Sequence, residues 1–237
     1  MPVITFANTK GGAGKTTAVH LLTGELLRRG KTVTVIDCDP QCWISRWYEK
    51  CGQVENLRVV SYVTARNILE EVEAGRRASD YVILDLPGAC SPLLATALGL
   101  ANHVIIPVQG CTMDAQGGAQ VLELLGYLDT RANIKIPHSV LLTRVNSMVT
   151  TRALQAVKDL LASRDVHVFS TPIIERAAFR DMFDHNGPLH TMDPERVTNL
   201  GRALENARFF ADELLGLIAS PAAKAAGSAK GQARNAA

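Results

Sequence analysis

In this 237-residue chain, one run of residue types at close spacing can handle phosphate: Lys10-Gly11-Gly12-Ala13-Gly14-Lys15-Thr16-Thr17. Glycine lets the backbone adopt angles that a Cβ would forbid, so consecutive N–H groups can point inward at phosphate oxygens. A helix starting at the end of such a loop adds its partial positive charge. Lys15 is then placed to reach the β- and γ-phosphates of a nucleotide, and the Thr16 hydroxyl to ligate Mg²⁺. The bland alternative is a glycine-rich turn with an incidental lysine.

Two acidic segments carry the complementary chemistry. Asp37-Cys38-Asp39-Pro40-Gln41 and Asp85-Leu86-Pro87-Gly88 each follow an apolar run. A carboxylate at the end of a buried strand is costly unless it meets a cation, and Mg²⁺ is the obvious one once a phosphate loop lies nearby. Taken singly, each acid could equally be a helix cap or a turn residue. Three elements in this order are harder to explain that way.

The elements that must position these residues are legible as an alternation. Val3 to Ala7 reads as a strand and Thr16 to Arg29 as a helix ended by Gly30, which is the strand, loop, helix context a phosphate cradle requires. Thr32 to Ile36, Arg58 to Tyr62, Tyr81 to Asp85, His103 to Val108, Ser139 to Thr143 and Val166 to Phe169 read as further strands. Helical patterns fall at Ala65 to Ala74, from Ser91-Pro92 to Leu100, from Asp114 onward with Val121, Leu124, Leu125 and Leu128 on one stripe, and at Arg152 to Ala162. Asp193-Pro194 is expected to cap a final long helix whose face carries Leu200, Leu204, Ala207, Ala211, Leu214, Leu215 and Ile218. Continuously apolar strands separated by helices predict a single α/β domain, a mostly parallel twisted sheet with helices on both faces. Ligands in such a sheet sit beyond the carboxyl ends of the strands, where the acids lie.

Composition narrows the setting. Hydrophobic content of 47% suits one substantial core, and no apolar run approaches the roughly 18 to 20 residues of a membrane span. No basic-then-apolar signal segment precedes the first strand, which makes a cytoplasmic protein the expectation. Five cysteines, Cys38, Cys42, Cys51, Cys90 and Cys111, contain no CxxC pair, so neither a disulfide framework nor a zinc site is suggested. Three of the 25 basic residues, Lys224, Lys230 and Arg234, lie in an acid-free tail over residues 220–237, leaving 22 basic against 23 acidic residues in the body. The tail's Ala, Gly, Ser and Lys composition reads as disordered, either a weak nucleic-acid arm or a solvated terminus.

The loop is not the ordinary Walker A pattern, which wants Gly where this chain has Thr9 and asks for no lysine at position 10. A second lysine ahead of the glycines resembles the deviant Walker A of the ParA/MinD family of ATPases. The resemblance covers about residues 1–219 and implies a P-loop NTPase fold, ATP and Mg²⁺ as cofactors, and an ATP-dependent homodimer in which Lys10 reaches the other subunit's phosphates. It implies that Gly11, Gly12, Ala13, Gly14, Lys15, Thr16 and Thr17 bind the nucleotide and that Thr16 and Asp85, in the Walker B position, hold Mg²⁺. The DxDPQ segment looks like the family's switch I, giving Asp37 a role in the magnesium shell and Asp39 the orientation or deprotonation of the attacking water. Gly88 looks like the γ-phosphate-sensing glycine of switch II, although many relatives have Pro-Pro where this chain has Pro87-Gly88. By the same resemblance the base pocket lies after the strands ending at Arg144 and Phe169, with Arg144, Thr171 and Pro172 as candidates; a surface ion pair is the alternative for Arg144. No arginine finger is evident in the chain, so turnover is expected to be slow and raised by a partner.

Within the family, a MinD-like basic membrane helix is not expected, since the last helix carries Glu205, Asp212 and Glu213. An iron-protein cluster lacks its second cysteine between Cys51 and Asp85, and a tyrosine kinase of this class would have tyrosines after Tyr127. The short ParA group, including ParF, remains, and Ser45-Arg46-Trp47 is similar to its pattern after switch I. That group implies non-specific DNA binding by the ATP dimer, reset by a centromere-bound ParB/ParG-like adaptor, in a cytoplasmic, nucleoid-associated protein. With no helix-turn-helix ahead of Val3, operator recognition is not expected. Arg152, Lys158, Arg164, Arg176, Arg180, Arg202 and Arg208 are candidate phosphate contacts, against the alternative of scattered surface charge. Recruitment to conjugative transfer machinery and positioning of protein cargo are the other readings.

Overall fold

A computed structural model describes residues 1–109, 112–146, 155, 161, 166–185 and 187–219. Six strands form one sheet: β1 (Val3–Phe6), β2 (Val33–Asp37), β3 (Leu57–Val60), β4 (Tyr81–Asp85), β5 (His103–Gln109) and β6 (His138–Thr143). Their order is β3-β2-β4-β1-β5-β6, and every pairing is parallel. The helices are α1 (Lys15–Arg28), α2 (Trp43–Cys51), α3 (Ile68–Ala78), α4 (Pro92–Leu100), α5 (Thr112–Ala132), α6 (Ala177–Asp181) and α7 (Leu200–Ala219).

The continuous apolar strands are explained by two cores. Alternate side chains of a strand point to opposite faces, so Ile4, Phe6, Ile83 and Ile105 join α1 and α7 on one side. Val3, Val82, Leu84, Val104 and Ile106 join α3, α4 and α5 on the other. Burial on both faces leaves no position for a polar alternation. The register also aligns the chemistry, because Phe6 at the end of β1 and Asp37 at the end of β2 both pair with Asp85.

Several expectations are corrected. The final helix starts at Leu200 and not at Asp193-Pro194. Asp193 instead closes a separate turn, accepting Glu195 N on its carboxylate and Arg196 N and Val197 N on its carbonyl, and Asn199 at φ 58° redirects the chain before the helix. The strand expected over Val166 to Phe169 is a single bridge, Val140 to Val168. The third helix begins at Ile68 because Asn67 Oδ1 accepts from the backbone and hydroxyl of Thr64, making residues 64–67 a turn. Helix α2 was not anticipated, although Ile44, Trp47, Tyr48 and Cys51 keep a helical stripe. Its start is concealed because Cys42, not a Ser or Asp, stands at the N-cap, with φ 51°. The helix expected over Arg152 to Ala162 lies outside the described residues apart from 155 and 161, as do Cys111 and the tail. The Ser91 cap is as expected, its hydroxyl accepting from Leu94 N.

Two histidines are sealed in the interior. Burial pushes His20 down to about 3, and burial together with His138 and His167 nearby pushes His103 down to about 4. Both stay neutral in the folded protein where an unfolded chain, with histidines near 6.5, takes up protons. Their contribution to stability is therefore complete above about pH 6.5 and is lost as pH falls toward those lower values. In urea unfolding from pH 7 to pH 5 the histidines contribute a decline in stability, against which the raised carboxyl of Asp85 acts in the opposite direction. His20→Phe should flatten that decline by up to about 1.4 kcal/mol per pH unit; an unchanged slope would mean that His20 titrates normally in the fold.

Candidate nucleotide-binding site

The loop between β1 and α1 is shaped by two left-handed glycines, Gly12 at φ 78° and Gly14 at φ 90°, the second serving as the N-cap of α1. Distant residues hold it in place. Asn8 accepts from Lys10 N at 2.8 Å and donates to Pro107 O at 2.7 Å, tying the loop to β5. Thr143, at the end of β6, donates its hydroxyl to Ala13 O at 2.8 Å, and Gln109 donates to Gly12 O. None of Asn8, Gln109 and Thr143 was singled out from the sequence.

Lys15 is 6% exposed, and its Nζ donates to Asn8 O at 3.1 Å and Lys10 O at 2.9 Å. Burial lowers its pKa, opposed by the carboxylates of Asp85 and Asp39. Lys10 is half-buried, and its backbone carbonyl is one arm of the lysine's cradle.

Asp85 is the most tightly enclosed acid. Oδ2 accepts the Thr16 hydroxyl at 2.8 Å, while Oδ1 is buried with no hydrogen-bond partner. Burial raises the carboxyl pKa to about 7, moderated by the Thr16 hydrogen bond and by Lys15 and reinforced by Asp37 and Asp39. A buried carboxylate oxygen without a donor fits a cation, and Thr16 is already within reach of the same carboxyl. Among the described residues no cluster of three or more Asp, Glu, His or Cys is gathered as a metal site. The donor set thus suits a Mg²⁺ ion held through a hydroxyl and one carboxylate region, its remaining shell coming from phosphate and water. Asp37 lies beside Asp85, but its Oδ2 already accepts Ser45 N at 2.9 Å and Ser45 Oγ at 2.8 Å. Its Oδ1 accepts Asp39 N at 3.2 Å. Asp37 therefore caps α2 from a distance and supports the switch loop, in addition to any influence on the ion. Burial, the largest factor, raises its pKa against these hydrogen bonds.

Asp39 accepts Gln41 N at 2.8 Å and faces a cavity of about 380 Å³. Gly11, Gly12, Ala13, Gly14, Lys15, Thr16, Thr17 and Gly88 face the same space. The structure thus brings the loop, switch I and switch II candidates together. An adjoining cavity of about 450 Å³ shares Gly14, Thr17, Arg144 and Phe183 with the first, and adds Ile173, Ile174, Glu175, Arg176, Phe179 and Arg180. A phosphate-sized chamber joined to a mixed apolar and polar one matches the two ends of a nucleotide.

Arg144 borders both chambers, in a left-handed conformation at φ 51°. Thr171 and Pro172 lie just before the wall of the second chamber. Glu213 of α7 accepts Ser170 N and Thr171 N, and Asn206 of α7 donates to Pro172 O, so residues 170–172 are held against α7. The wall of the second chamber begins at Ile173. The candidate phosphate-contacting arginines do not form one group. Arg176 and Arg180 line the second chamber, with Arg180 paired to Glu175 at 3.2 Å, whereas Arg202 and Arg208 border a separate groove with Glu25 and Arg28. Arg152, Lys158 and Arg164 lie outside the described residues.

Comparison with known proteins agrees with this geometry. The family model described as VirC1 protein matches residues 1–214. The chain is 34% identical over 211 residues to Protein ParA of Rhizobium radiobacter, covering 89% of this chain and 95% of that one. It is 31% identical over 222 residues to Protein virC1 of Rhizobium rhizogenes, covering 91% and 95%. This chain belongs to the VirC1 family within the ParA/MinD ATPases. At the level of fold, the MinD cell division protein of Aquifex aeolicus superposes with a TM-score of 0.69 at 19% identity, over 91% of this chain and 98% of that one.

The close approach of the switch II candidate to the phosphate loop explains why glycine follows Pro87. A Cβ on Gly88 would stand 2.6 Å from Gly11 N and 2.8 Å from Lys10 O, both backbone atoms. Gly88→Ala should therefore push the phosphate loop off switch II and weaken nucleotide binding by about tenfold or more, equivalent to ~1.4 kcal/mol. Titration with a fluorescent ATP analogue, with circular dichroism to verify the fold, measures this; wild-type affinity would mean that the two loops separate freely.

Proposed function

We propose that this protein is a ParA-like ATPase that uses Mg²⁺ and ATP to form a homodimer, that the dimer binds DNA without sequence preference, and that an adaptor protein resets it by stimulating hydrolysis. The supporting observation is the meeting of the phosphate loop, with Lys15 and Thr16, and Asp39 around one chamber, while Asp85, one oxygen unpartnered, accepts the Thr16 hydroxyl. Residues 1–219 form the ATPase domain and 220–237 a basic tail. No helix among the described residues is long and apolar enough to cross a membrane, and we assign the protein to the cytoplasm, in association with the nucleoid.

In this reading the chain's own groups do most of the positioning. The amides from Gly11 to Thr17 cradle phosphate oxygens, and Lys15 turns from its loop carbonyls toward the β- and γ-phosphates. Thr16 and Asp85 hold Mg²⁺, which supplies charge neutralisation when bound. Asp39 orients the attacking water and accepts its proton, and Lys10 of the second copy enters the chamber. Phosphoryl transfer depends on such positioning and charge more than on covalent help. Intrinsic turnover is slow in this reading, and the adaptor raises it.

The cargo admits a second reading. The 26% identical relative from Halothiobacillus neapolitanus is named for maintenance of carboxysome distribution. Positioning of a protein cargo would use the same ATP cycle, whereas recruitment to DNA-transfer machinery would need little hydrolysis.

Lys15→Gln is expected to abolish nucleotide binding in calorimetric titration. Asp39→Ala should retain ATP as a dimer and remain on random duplex DNA in gel shifts with ATP but not with ADP. If this variant neither dimerises nor stays on DNA longer than wild type, the role given to Asp39 is wrong.

A further inference from the structure

Trp43 is the first residue of α2, and its indole borders the phosphate chamber beside Gly11, Gly12, Asp39, Gln41 and Gly88. It is 51% exposed. The ring is nevertheless held firmly: its Nε1 donates to Gln41 Oε1 at 2.7 Å, and the Arg46 guanidinium lies 5.8 Å from its centre. An indole oriented by a hydrogen bond and a neighbouring guanidinium at the mouth of the chamber presents a large amphipathic face to whatever closes over it.

The backbone around it is also unusual. Cys42 and Tyr62 are both non-glycine residues in the left-handed region, at φ 51° and 58°. The Tyr62 side chain is 83% exposed. Left-handed angles cost such residues roughly 1–2 kcal/mol each and persist where surrounding structure imposes them, often at functional sites. The outcome here is an indole presented outward, one residue beyond the strained Cys42.

We propose that Trp43, braced by Arg46, is the anchor on which a second copy of this chain closes over the phosphate chamber. The inference rests on the ATP-dependent dimer proposed above and names the residue that secures it. Three considerations favour a second copy as the occupant. A bound nucleotide does not cover the ring, because phosphates offer no apolar surface and Trp43 does not border the second chamber, where a base fits. A copy that delivers its Lys10 to this chamber must cross the rim where Trp43 stands. In a two-fold arrangement the same patch serves on both sides, so each dimer has two such anchors. Tryptophan and arginine are also the side chains most often found to dominate protein interfaces. Because Gln41 binds both the indole and Asp39, seating the ring also fixes the turn that carries the proposed catalytic acid.

The test uses the full chain. Light scattering against protein concentration gives the dimer dissociation constant in ATP, with Asp39→Ala as background to limit hydrolysis. Adding Trp43→Ala should raise that constant about 30-fold or more, the scale of a dominant interface residue. Trp43→Phe should restore part of the loss, and ADP affinity, which the interface does not enter, should change by less than about threefold. Acrylamide quenching supplies a readout without substitution. The chain's other tryptophan, Trp47, is buried, so the quenchable emission is that of Trp43, and it should become protected by ATP as protein concentration rises. If the unsubstituted protein stays monomeric with ATP, the dimer reading fails and this inference with it. If it dimerises but Trp43→Ala dimerises equally well, or quenching is unchanged, only the anchor is refuted. A large loss of ADP affinity would assign the ring to the nucleotide, and protection that appears only with DNA would assign it to nucleic acid; either result overturns the proposal. Should Trp43→Ala fail to fold, Trp43→Phe and the quenching experiment decide.

Discussion

The site depends on how charge is accommodated at the buried carboxyl end of a parallel sheet. The order β2-β4-β1 places Asp37 and Asp85 on adjacent strands and the phosphate loop directly after the third. Burial raises the pKa of both carboxyl groups, with Asp37 adding to the rise at Asp85, and each needs a separate way to be satisfied. Asp37 is satisfied by protein: the N-terminus of α2 turns its Ser45 amide and hydroxyl onto it. Asp85 is satisfied on one oxygen only, by Thr16. This division of labour explains why the first acid organises a loop while the second remains available to a cation.

The same constraint orders the surrounding chain. Helix α2 begins where Asp37 can cap it, although the residue at its own N-cap is a cysteine with no side-chain hydrogen bond to offer. Asp39 is held between Asp37 and Gln41 by successive side-chain-to-backbone bonds. Switch I is therefore a chain of short local turns rooted in a buried carboxylate. Such a loop can shift at its outer end while its root stays fixed.

The phosphate loop was legible because its chemistry is local: glycines, lysines and hydroxyls must be consecutive to surround one phosphate group. The strands were legible because burial on both faces leaves an uninterrupted apolar run. What the sequence hid is non-local. Asn8 holds the loop through two side-chain bonds and Gln109 and Thr143 through one each, and a single polar residue at a strand end has no periodicity to reveal it. The backbone of Thr171 and Pro172 is likewise fixed from afar, by Glu213 and Asn206, more than thirty residues away on α7. The Asp193-Pro194 pair is a sound helix start by composition, and only the left-handed Asn199 separates its turn from the helix beyond.

His20 joins these parts. Its ring lies edge-on between Trp47 of α2, at 4.0 Å, and Phe183, at 5.0 Å, and Phe183 borders both chambers. Trp47 also donates its indole N–H to His185 O, so the helix after switch I and the segment behind the base wall are bound twice. His20 belongs to α1, the helix that begins at the phosphate loop. Interiors packed to crystal-like density do not let one of three interlocked rings move while the others stay. Displacing Phe183 without Trp47 would open a void beside a buried imidazole that has no hydrogen-bond partner for Nε2 and no solvent to replace one. The wall of the second chamber and the helix that follows Asp39 therefore have one common spacer, and the spacing between them is set from α1.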